Sequence, residues 1–139
     1  MTGEMMTTTK RMMSGRMTMS KFVDLYNQQM DFQSDLIRKG VYEDYGVEGG
    51  EVKLPADYPR LESYQIQQLV SEIGEVLEAD KRWKSFRNGK YDPAGKKDEI
   101  ADCFIVLMNV AAFSGLSAED VLEAIEKKIT VNNERKKSL

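Results

Sequence analysis

The sequence of 139 residues predicts a single all-α domain, arranged as a four-helix bundle-like protomer. Three observations predict it. Apolar residues recur at the three- and four-residue spacing of amphipathic helices, and no segment alternates with a period of two. Stretches containing glycine or proline separate four such segments, with one long and two short connections, as is typical of a bundle.

The first predicted helix begins at Ser20, which can cap it, and ends at Gly40. Residues 1–19 hold seven of the nine methionines without helical periodicity, so we expect a flexible tail there and the helical domain at residues 20–139. Residues 41–60 contain three glycines and two prolines, which predicts a long loop. Its tyrosines could reach a ligand: Tyr42, Tyr45 and Tyr58.

The second helix is expected from about Leu61 to Phe86. Its predicted core stripe is Ile66, Leu69, Val70, Ile73, Val76 and Leu77. After a turn at residues 87–95, the third helix extends to Ser114, and Gly115 ends it. This helix is apolar on every side from Cys103 to Met108, so we expect it to be buried. Ser117 and Asp120 predict a capping box for the fourth helix.

The composition excludes several classes of function. A net charge of −3 gives no electrostatic case for nucleic acid or for an anionic membrane. One cysteine, Cys103, permits neither an intrachain disulfide nor a cysteine-rich zinc site, and its apolar surroundings predict a core residue. The sequence has no stretch long enough to span a bilayer and no signal-peptide pattern, so we expect a cytoplasmic protein.

Two pairs of acidic residues lie on either side of the turn between the second and third predicted helices. Glu72 and Glu75 are three residues apart, as are Glu99 and Asp102. This spacing places the members of each pair side by side on one helix face. A solvated helix face is the alternative interpretation for Glu72 and Glu75 alone. The apolar run after Asp102 favours a metal site, because carboxylates beside a buried helix need a positive partner.

The residue types select the metal. Four carboxylates in a chain without histidine favour a hard cation, Mg²⁺ with Mn²⁺ as a substitute, and argue against a ferritin-like di-iron centre. Mg²⁺ held by carboxylates usually acts on a phosphate substrate. The last helix offers Lys128, Asn132 and Arg135 along one face. The alternative for these residues is a charged C-terminal turn that interacts favourably with the helix dipole.

The pattern Glu72-x-x-Glu75 followed by Glu99-x-x-Asp102 resembles the signature of the MazG-like, all-α nucleoside triphosphate pyrophosphohydrolases. That superfamily also includes dimeric dUTPases and dCTP pyrophosphatases. The resemblance covers roughly residues 20 to 136, and the long loop at 41–60 departs from the shortest family members.

Two further segments carry the same resemblance. Lys128-x-x-x-Asn132-x-x-Arg135 is similar to the family's motif on its last helix. The segment from Glu78 to Lys84 is similar to the one that follows the first carboxylate pair in the family.

The resemblance implies Mg²⁺-dependent hydrolysis of a ribo- or deoxynucleoside triphosphate to the monophosphate and pyrophosphate, as part of nucleotide-pool housecleaning. The four acids would hold the metal, and Glu75, or else Glu72, would accept the proton of the attacking water. The residues implied in substrate binding are Lys128 and Arg135 for phosphate, Asn132 for the sugar or base, Trp83 for stacking on the base, Lys84, and more weakly Lys96 and Lys97.

The family forms homodimers or homotetramers, and the apolar third helix supports an oligomer independently, because one protomer leaves part of such a helix uncovered. Two alternatives remain open. One is a narrow dUTP or dCTP hydrolase of the same fold, and the other is a non-catalytic helical dimerisation or binding module.

Overall fold

The computed structural model describes residues 14–47, 53–84 and 91–139. This part of the chain contains no β-strand, so the all-α prediction is confirmed. Its regular structure also includes short 3₁₀ turns at Glu43–Tyr45 and Lys81–Trp83. The α-helices in these ranges are α1 (Ser14–Arg38), α2 (Pro59–Ala79), α3 (Pro93–Phe113) and α4 (Ala118–Lys136).

The chain divides into two compact units. The first is Gln29–Leu116, which contains α2, α3 and the end of α1; the second combines Met1–Gln28 with Ser117–Leu139 and contains α4. Tyrosines and aliphatic residues from α1, the long loop and α2 pack around Phe113 at the end of α3. The buried core of the first unit consists of Ile37, Tyr42, Val47, Leu61 and Phe113.

Left-handed glycines end α1 and α3, as the sequence predicted. Gly40 has φ 78° and Gly115 has φ 84°, a region that side chains with a Cβ rarely adopt. Beyond each glycine the chain turns back on the helix, with Val41 N donating to Leu36 O at 3.1 Å in the first case. These bonds satisfy carbonyl groups that the last turn of a helix leaves without partners.

The second unit contains a capping box at the start of α4 and a buried tyrosine, Tyr26. The Ser117 hydroxyl accepts from Asp120 N at 3.1 Å, and the Asp120 carboxylate accepts from Ser117 N at 3.0 Å, which confirms the predicted start of α4. Tyr26 is almost fully buried and its ring lies 6.0 Å from that of Phe22. Burial, together with the charges of Asp120 and Glu119, raises the pKa of Tyr26 to about 12.

Two helix boundaries differ from the prediction. Helix α1 begins at Ser14 rather than Ser20, so residues 14–19 of the expected tail are helical, whereas residues 1–13 lie outside the described ranges. Helix α2 ends at Ala79 instead of continuing to Phe86, because Asp80 adopts an extended conformation and its side chain accepts from Arg82 N. A side chain that bonds nearby backbone in this way competes with helix propagation. The turn predicted at 87–95 lies partly outside the described residues.

The predicted burial of the apolar stripes is wrong for the single chain. On α2, Ile66, Ile73 and Leu77 are exposed, and Val70 is 66% exposed. On α3, Ile100, Ile105 and Leu107 are exposed, and Phe104 is 64% exposed. The face that α2 buries instead carries Leu61 and Gln65. Hydrophobic periodicity located the helices correctly but did not identify the face that each helix buries within its own chain.

Candidate metal centre

The register between α2 and α3 is fixed at both ends of the helix pair. An antiparallel bridge joins Asp57 to Ser114 where α2 begins and α3 ends, and a second bridge joins Asp80 to Tyr91 at the other end. Tyr58 N donates to Phe113 O at 2.8 Å in the first bridge, and Asp92 N donates to Ala79 O at 3.0 Å in the second. The two helices therefore pack antiparallel with their ends aligned.

This register places the acidic pairs opposite each other. Glu72 follows Asp57 by the same number of residues as Glu99 precedes Ser114. Since both helices rise by the same distance per residue, Glu72 and Glu99 lie level with each other across the interface.

Three of the four acids form a compact cluster. Glu72, Glu75 and Glu99 each offer one carboxylate oxygen, and these oxygens all lie within 4.8 Å of one another. Glu75 is exposed, whereas Glu72 and Glu99 are half-buried. Oε2 of Glu72 and Oε2 of Glu99 are shielded from solvent and have no hydrogen-bond partner among the described residues. Shielded carboxylate oxygens without a donor are unfavourable and need either a proton or a cation.

The charges in the cluster perturb one another. A hydrogen bond to Glu75, burial and the charges of Glu75, Asp102 and Glu72 raise the pKa of Glu99 to about 7. Burial and the neighbouring carboxylates also raise the pKa of Glu72. Two carboxylates can share a hydrogen bond only when one of them is protonated, so below about pH 7 a proton in the cluster takes the place of a cation in the metal-free protein.

Asp102 lies at the edge of this cluster. It is exposed and is not one of the three acids whose oxygens converge. Its charge nevertheless contributes to the raised pKa values of Glu72 and Glu99. The neighbouring Cys103 is half-buried, and burial and the charges of the cluster raise the pKa of its thiol. The cysteine is therefore held as a neutral thiol, but it is only half-buried and does not reach the core position predicted for it.

The cluster suits a hard divalent cation. All its donors are carboxylate oxygens, which Mg²⁺ and Mn²⁺ prefer, and the described residues bring no nitrogen or sulfur ligand with them. A cation bound there would satisfy the shielded oxygens of Glu72 and Glu99 and remove the repulsion between the three carboxylates. The exposed Glu75 leaves one side of the cluster open to water and to a ligand.

A cationic turn follows α2 and is organised by Asp80, a residue that no sequence pattern singled out. Asp80 is almost fully buried and accepts two hydrogen bonds from the Arg82 guanidinium, each 2.8 Å long. Lys96 Nζ donates to the same carboxylate at 2.9 Å. The Arg82 guanidinium also lies 3.6 Å from the centre of the Tyr91 ring. Lys96, expected as a phosphate ligand, is therefore engaged in an ion pair within the fold.

Trp83 and Lys84 lie on this same turn rather than on a helix. Trp83 is 57% exposed, and its indole nitrogen donates to Leu77 O at 3.3 Å. The ammonium group of Lys84 lies 5.3 Å from the centre of the indole ring. The tryptophan is thus oriented by the end of α2 and presents ring surface to solvent. Its role in stacking on a base stays a prediction.

Lys128, Asn132 and Arg135 are exposed residues of α4. They belong to the Ser117–Leu139 segment of the second unit, whereas the acidic cluster belongs to the first. Their predicted role in phosphate binding stays a prediction, as does that of the exposed Lys97 on α3.

A buried amide network lies further along the α2–α3 interface. Gln29 Nε2 donates to Asn109 Oδ1 at 2.8 Å, and Asn109 Nδ2 donates to Gln65 Oε1 at 3.0 Å. Gln65 precedes Glu72 by two helical turns and so shares its face of α2. The sequence feature that could have indicated this network is that Gln65 lies on the same face of α2 as Glu72. Glutamine is so common on helix surfaces that this signal is weak.

No helix in the described ranges is long and apolar enough to cross a membrane. Comparison of the chain with protein-family models, with curated proteins and with solved structures gives no match. The resemblance to the MazG-like enzymes therefore depends on the motif residues themselves.

Proposed function

We propose that the protein is a Mg²⁺-dependent nucleoside triphosphate pyrophosphohydrolase of the MazG-like type. The observation that supports this most directly is the convergence of Glu72, Glu75 and Glu99, with two of their oxygens shielded and unpartnered. A carboxylate cluster open on one side is suited to Mg²⁺ that also contacts phosphate oxygens. When bound, Mg²⁺ would neutralise charge on the phosphates and acidify the attacking water.

The surroundings of each acid suggest its role. Glu72 and Glu99 each have a shielded oxygen, which suits metal ligands that are held in place by the helix pair. Asp102, at the edge of the cluster, would complete the ligand set. Glu75 is exposed and can reach a water at the open side, so it is the residue we assign as general base. The water's proton would pass to a Glu75 carboxylate oxygen as the water oxygen attacks the α-phosphorus. The bond from that phosphorus to the oxygen bridging it to the β-phosphorus would break, so that pyrophosphate leaves and the monophosphate remains.

The test is release of pyrophosphate from a panel of ribo- and deoxynucleoside triphosphates with Mg²⁺ and with EDTA. We expect Glu75→Gln to lower the turnover number by about 10²- to 10⁴-fold, the usual contribution of a general base. Glu99→Gln should weaken the apparent affinity for Mg²⁺ and should also lower the rate. The matched control is Glu78→Gln on the same helix, whose carboxylate is paired with Lys81 Nζ at 3.1 Å outside the cluster.

The panel also separates the alternatives. Activity on one pyrimidine deoxynucleotide alone would identify a narrow dUTPase or dCTPase. A folded protein with Mg²⁺ that releases no pyrophosphate from any nucleotide would contradict the enzymatic proposal and favour the non-catalytic module.

We also propose that two copies of the chain associate through the exposed stripes of α2 and α3. Val70 lies in a run of exposed apolar residues with helical spacing, and Phe104 lies in another. Exposed apolar surface of this extent usually marks an interface. The variant Val70→Glu/Phe104→Glu should sediment as a monomer while the control Lys97→Glu, at an exposed polar position of α3, keeps the wild-type mass. A monomeric wild-type protein at high concentration would contradict this proposal.

A further inference from the structure

A second candidate binding site lies at the start of α2, in a solvent-open cleft of about 400 Å³. Four of its residues recur at helical spacing and so share one face of the helix. Arg60 precedes Glu72 by twelve residues, which is about 18 Å along a helix axis, so the cleft is separate from the acidic cluster. The lining residues are Tyr45, Pro59, Arg60, Ser63, Tyr64 and Gln67.

Two stacked tyrosines form the aromatic wall of the cleft. The Tyr45 and Tyr64 rings lie 4.8 Å apart at an interplanar angle of 16°. The buried Tyr42 contacts both rings edge-on, at 6.3 Å and 6.4 Å, and its hydroxyl donates to Gln33 Oε1 at 2.6 Å. The wall is therefore held by the core of the unit rather than by exposed side chains. A fixed aromatic surface of this kind favours stacking of a planar ring.

Arg60 supplies a positive charge at the same cleft. Its Nη2 donates to Asp44 O at 3.1 Å, which orients the guanidinium. Among the described residues it forms no ion pair with an aspartate or glutamate. A guanidinium bonded to a single carbonyl retains donors for a phosphate or carboxylate. The Ser63 hydroxyl and the Gln67 amide add polar groups of the kind that orient a ligand in an otherwise aromatic site.

We propose that this cleft binds a small ligand made of a planar aromatic ring with an attached anionic group. The ring lies against the Tyr45–Tyr64 wall, and the anion binds the Arg60 guanidinium. A nucleoside monophosphate and an aromatic carboxylate share this chemistry. Binding requires no metal, so it is independent of the function proposed for the acidic cluster.

The experiment is a titration of the full ¹⁵N-labelled chain, followed by NMR in EDTA so that the acidic cluster binds no metal. The probes are uridine and adenosine 5′-monophosphates, 4-hydroxybenzoate, uridine and inorganic phosphate. At least one anionic aromatic probe should shift the amide resonances of Arg60, Ser63, Tyr64 and Gln67 saturably. Uridine and phosphate, which each lack one half of the ligand, should bind at least about tenfold more weakly.

The titration distinguishes the two classes of ligand that share this chemistry. Binding of the monophosphates indicates a nucleotide, and binding of 4-hydroxybenzoate indicates an aromatic carboxylate. If neither class shifts these resonances at about 10 mM, a range that detects millimolar affinities, the proposal is overturned.

Variants provide the second test. Arg60→Gln should weaken binding by about tenfold to a hundredfold, the range for losing hydrogen bonds to a charged group. Arg60 is exposed and outside the core, so this variant should fold. The matched control Arg38→Gln removes an exposed arginine that pairs with Asp35, and Glu72→Gln alters the acidic cluster; both should bind as the wild type does. Unchanged binding in Arg60→Gln, or lost binding in Glu72→Gln, would overturn the proposal.

Discussion

Replacing Glu99 by glutamine should change the stability of the protein in opposite directions without and with Mg²⁺. In the metal-free protein one oxygen from each of the three carboxylates lies within 4.8 Å of the other two, and the groups repel when ionised. A hydrogen bond to Glu75, burial and the neighbouring charges raise the pKa of Glu99 to about 7, so at pH 8 the group is ionised. Removing its charge should therefore raise the Tm in EDTA.

In Mg²⁺ the wild-type protein should instead have a higher Tm than Glu99→Gln. A ligand that binds only the folded state at one hundred times its Kd adds about 2.7 kcal/mol to the free energy of unfolding. For a chain of this size each kcal/mol shifts the Tm by about 2–4 °C, so the wild-type Tm should rise by about 5–10 °C. Glu99→Gln lacks one charged ligand and should gain no more than about 2 °C under the same conditions.

Thermal unfolding followed by circular dichroism at pH 8, first in EDTA and then in Mg²⁺, measures both effects. Glu78→Gln is the control, because its carboxylate lies outside the cluster and should leave both Tm values close to those of the wild type. A lower Tm for Glu99→Gln in EDTA would refute the repulsion argument. An equal Mg²⁺ shift in Glu99→Gln and the wild type would refute the metal site.

The same pKa predicts how the Mg²⁺ effect depends on pH. Between the unfolded pKa of 4.5 and the folded pKa of about 7, the metal-free folded protein holds a proton that the unfolded chain releases. Its free energy of unfolding therefore falls as the pH rises through this interval. Mg²⁺ must displace the proton, so its apparent affinity should fall about tenfold for each pH unit below 7. A Tm shift of equal size at pH 5 and pH 8 would contradict this.

Three further predictions concern the fold that holds the site. Phe113→Ala should lower the free energy of unfolding by about 3–5 kcal/mol in urea titrations, because the ring is fully buried at the centre of the first unit. Gly95→Ala should lower it by about 1 kcal/mol, because a Cβ there would clash with the Asp92 carboxylate and displace it from the bond that caps α3; an unchanged urea midpoint would contradict this. Hydrogen bonds from Arg82 and Lys96 hold the pKa of Asp80 well below its usual range, so Asp80→Asn should lower the free energy of unfolding at pH 7. The loss should become smaller as the pH falls below about 4, because the aspartate of the unfolded wild-type chain then takes up a proton. Equal destabilisation at pH 7 and pH 2 would contradict the last of these.

Local signals in the sequence predicted the helix ends most accurately. Gly40, Gly115 and the Ser117–Asp120 pair act through backbone conformation and near-neighbour hydrogen bonds, so a few residues contain all the information needed. The end of α2 was not predictable in this way. It depends on Asp80, whose partners include Lys96 from another helix, and no local pattern shows that contact.

The acidic pairs were predictable because their spacing is local to each helix, whereas the register that brings Glu72, Glu75 and Glu99 together depends on the bridges at the two ends of the helix pair. The cleft beside Arg60 was not predictable, since it depends on where the long loop places Tyr45 against Tyr64. The buried face of α2 was predicted wrongly for a related reason. Periodicity reports where apolar residues are, whereas the partner that covers them is a tertiary or quaternary feature.

Helix α2 combines two arrangements that are each unfavourable in an isolated, metal-free chain. Its Glu72 has a shielded oxygen without a partner, while apolar residues such as Val70 face solvent. Either arrangement alone could be a tolerated local defect. Together they follow from one requirement, because a helix that directs carboxylates into the contact with α3 must place its apolar residues on another side. A cation would neutralise the carboxylates on the first side, and a second copy of the chain would cover the apolar residues on the other. Metal binding and self-association should thus be separable by mutation: Glu99→Gln should reduce the Mg²⁺ shift and leave the sedimenting mass unchanged, whereas Val70→Glu/Phe104→Glu should lower the mass and leave the Mg²⁺ shift unchanged.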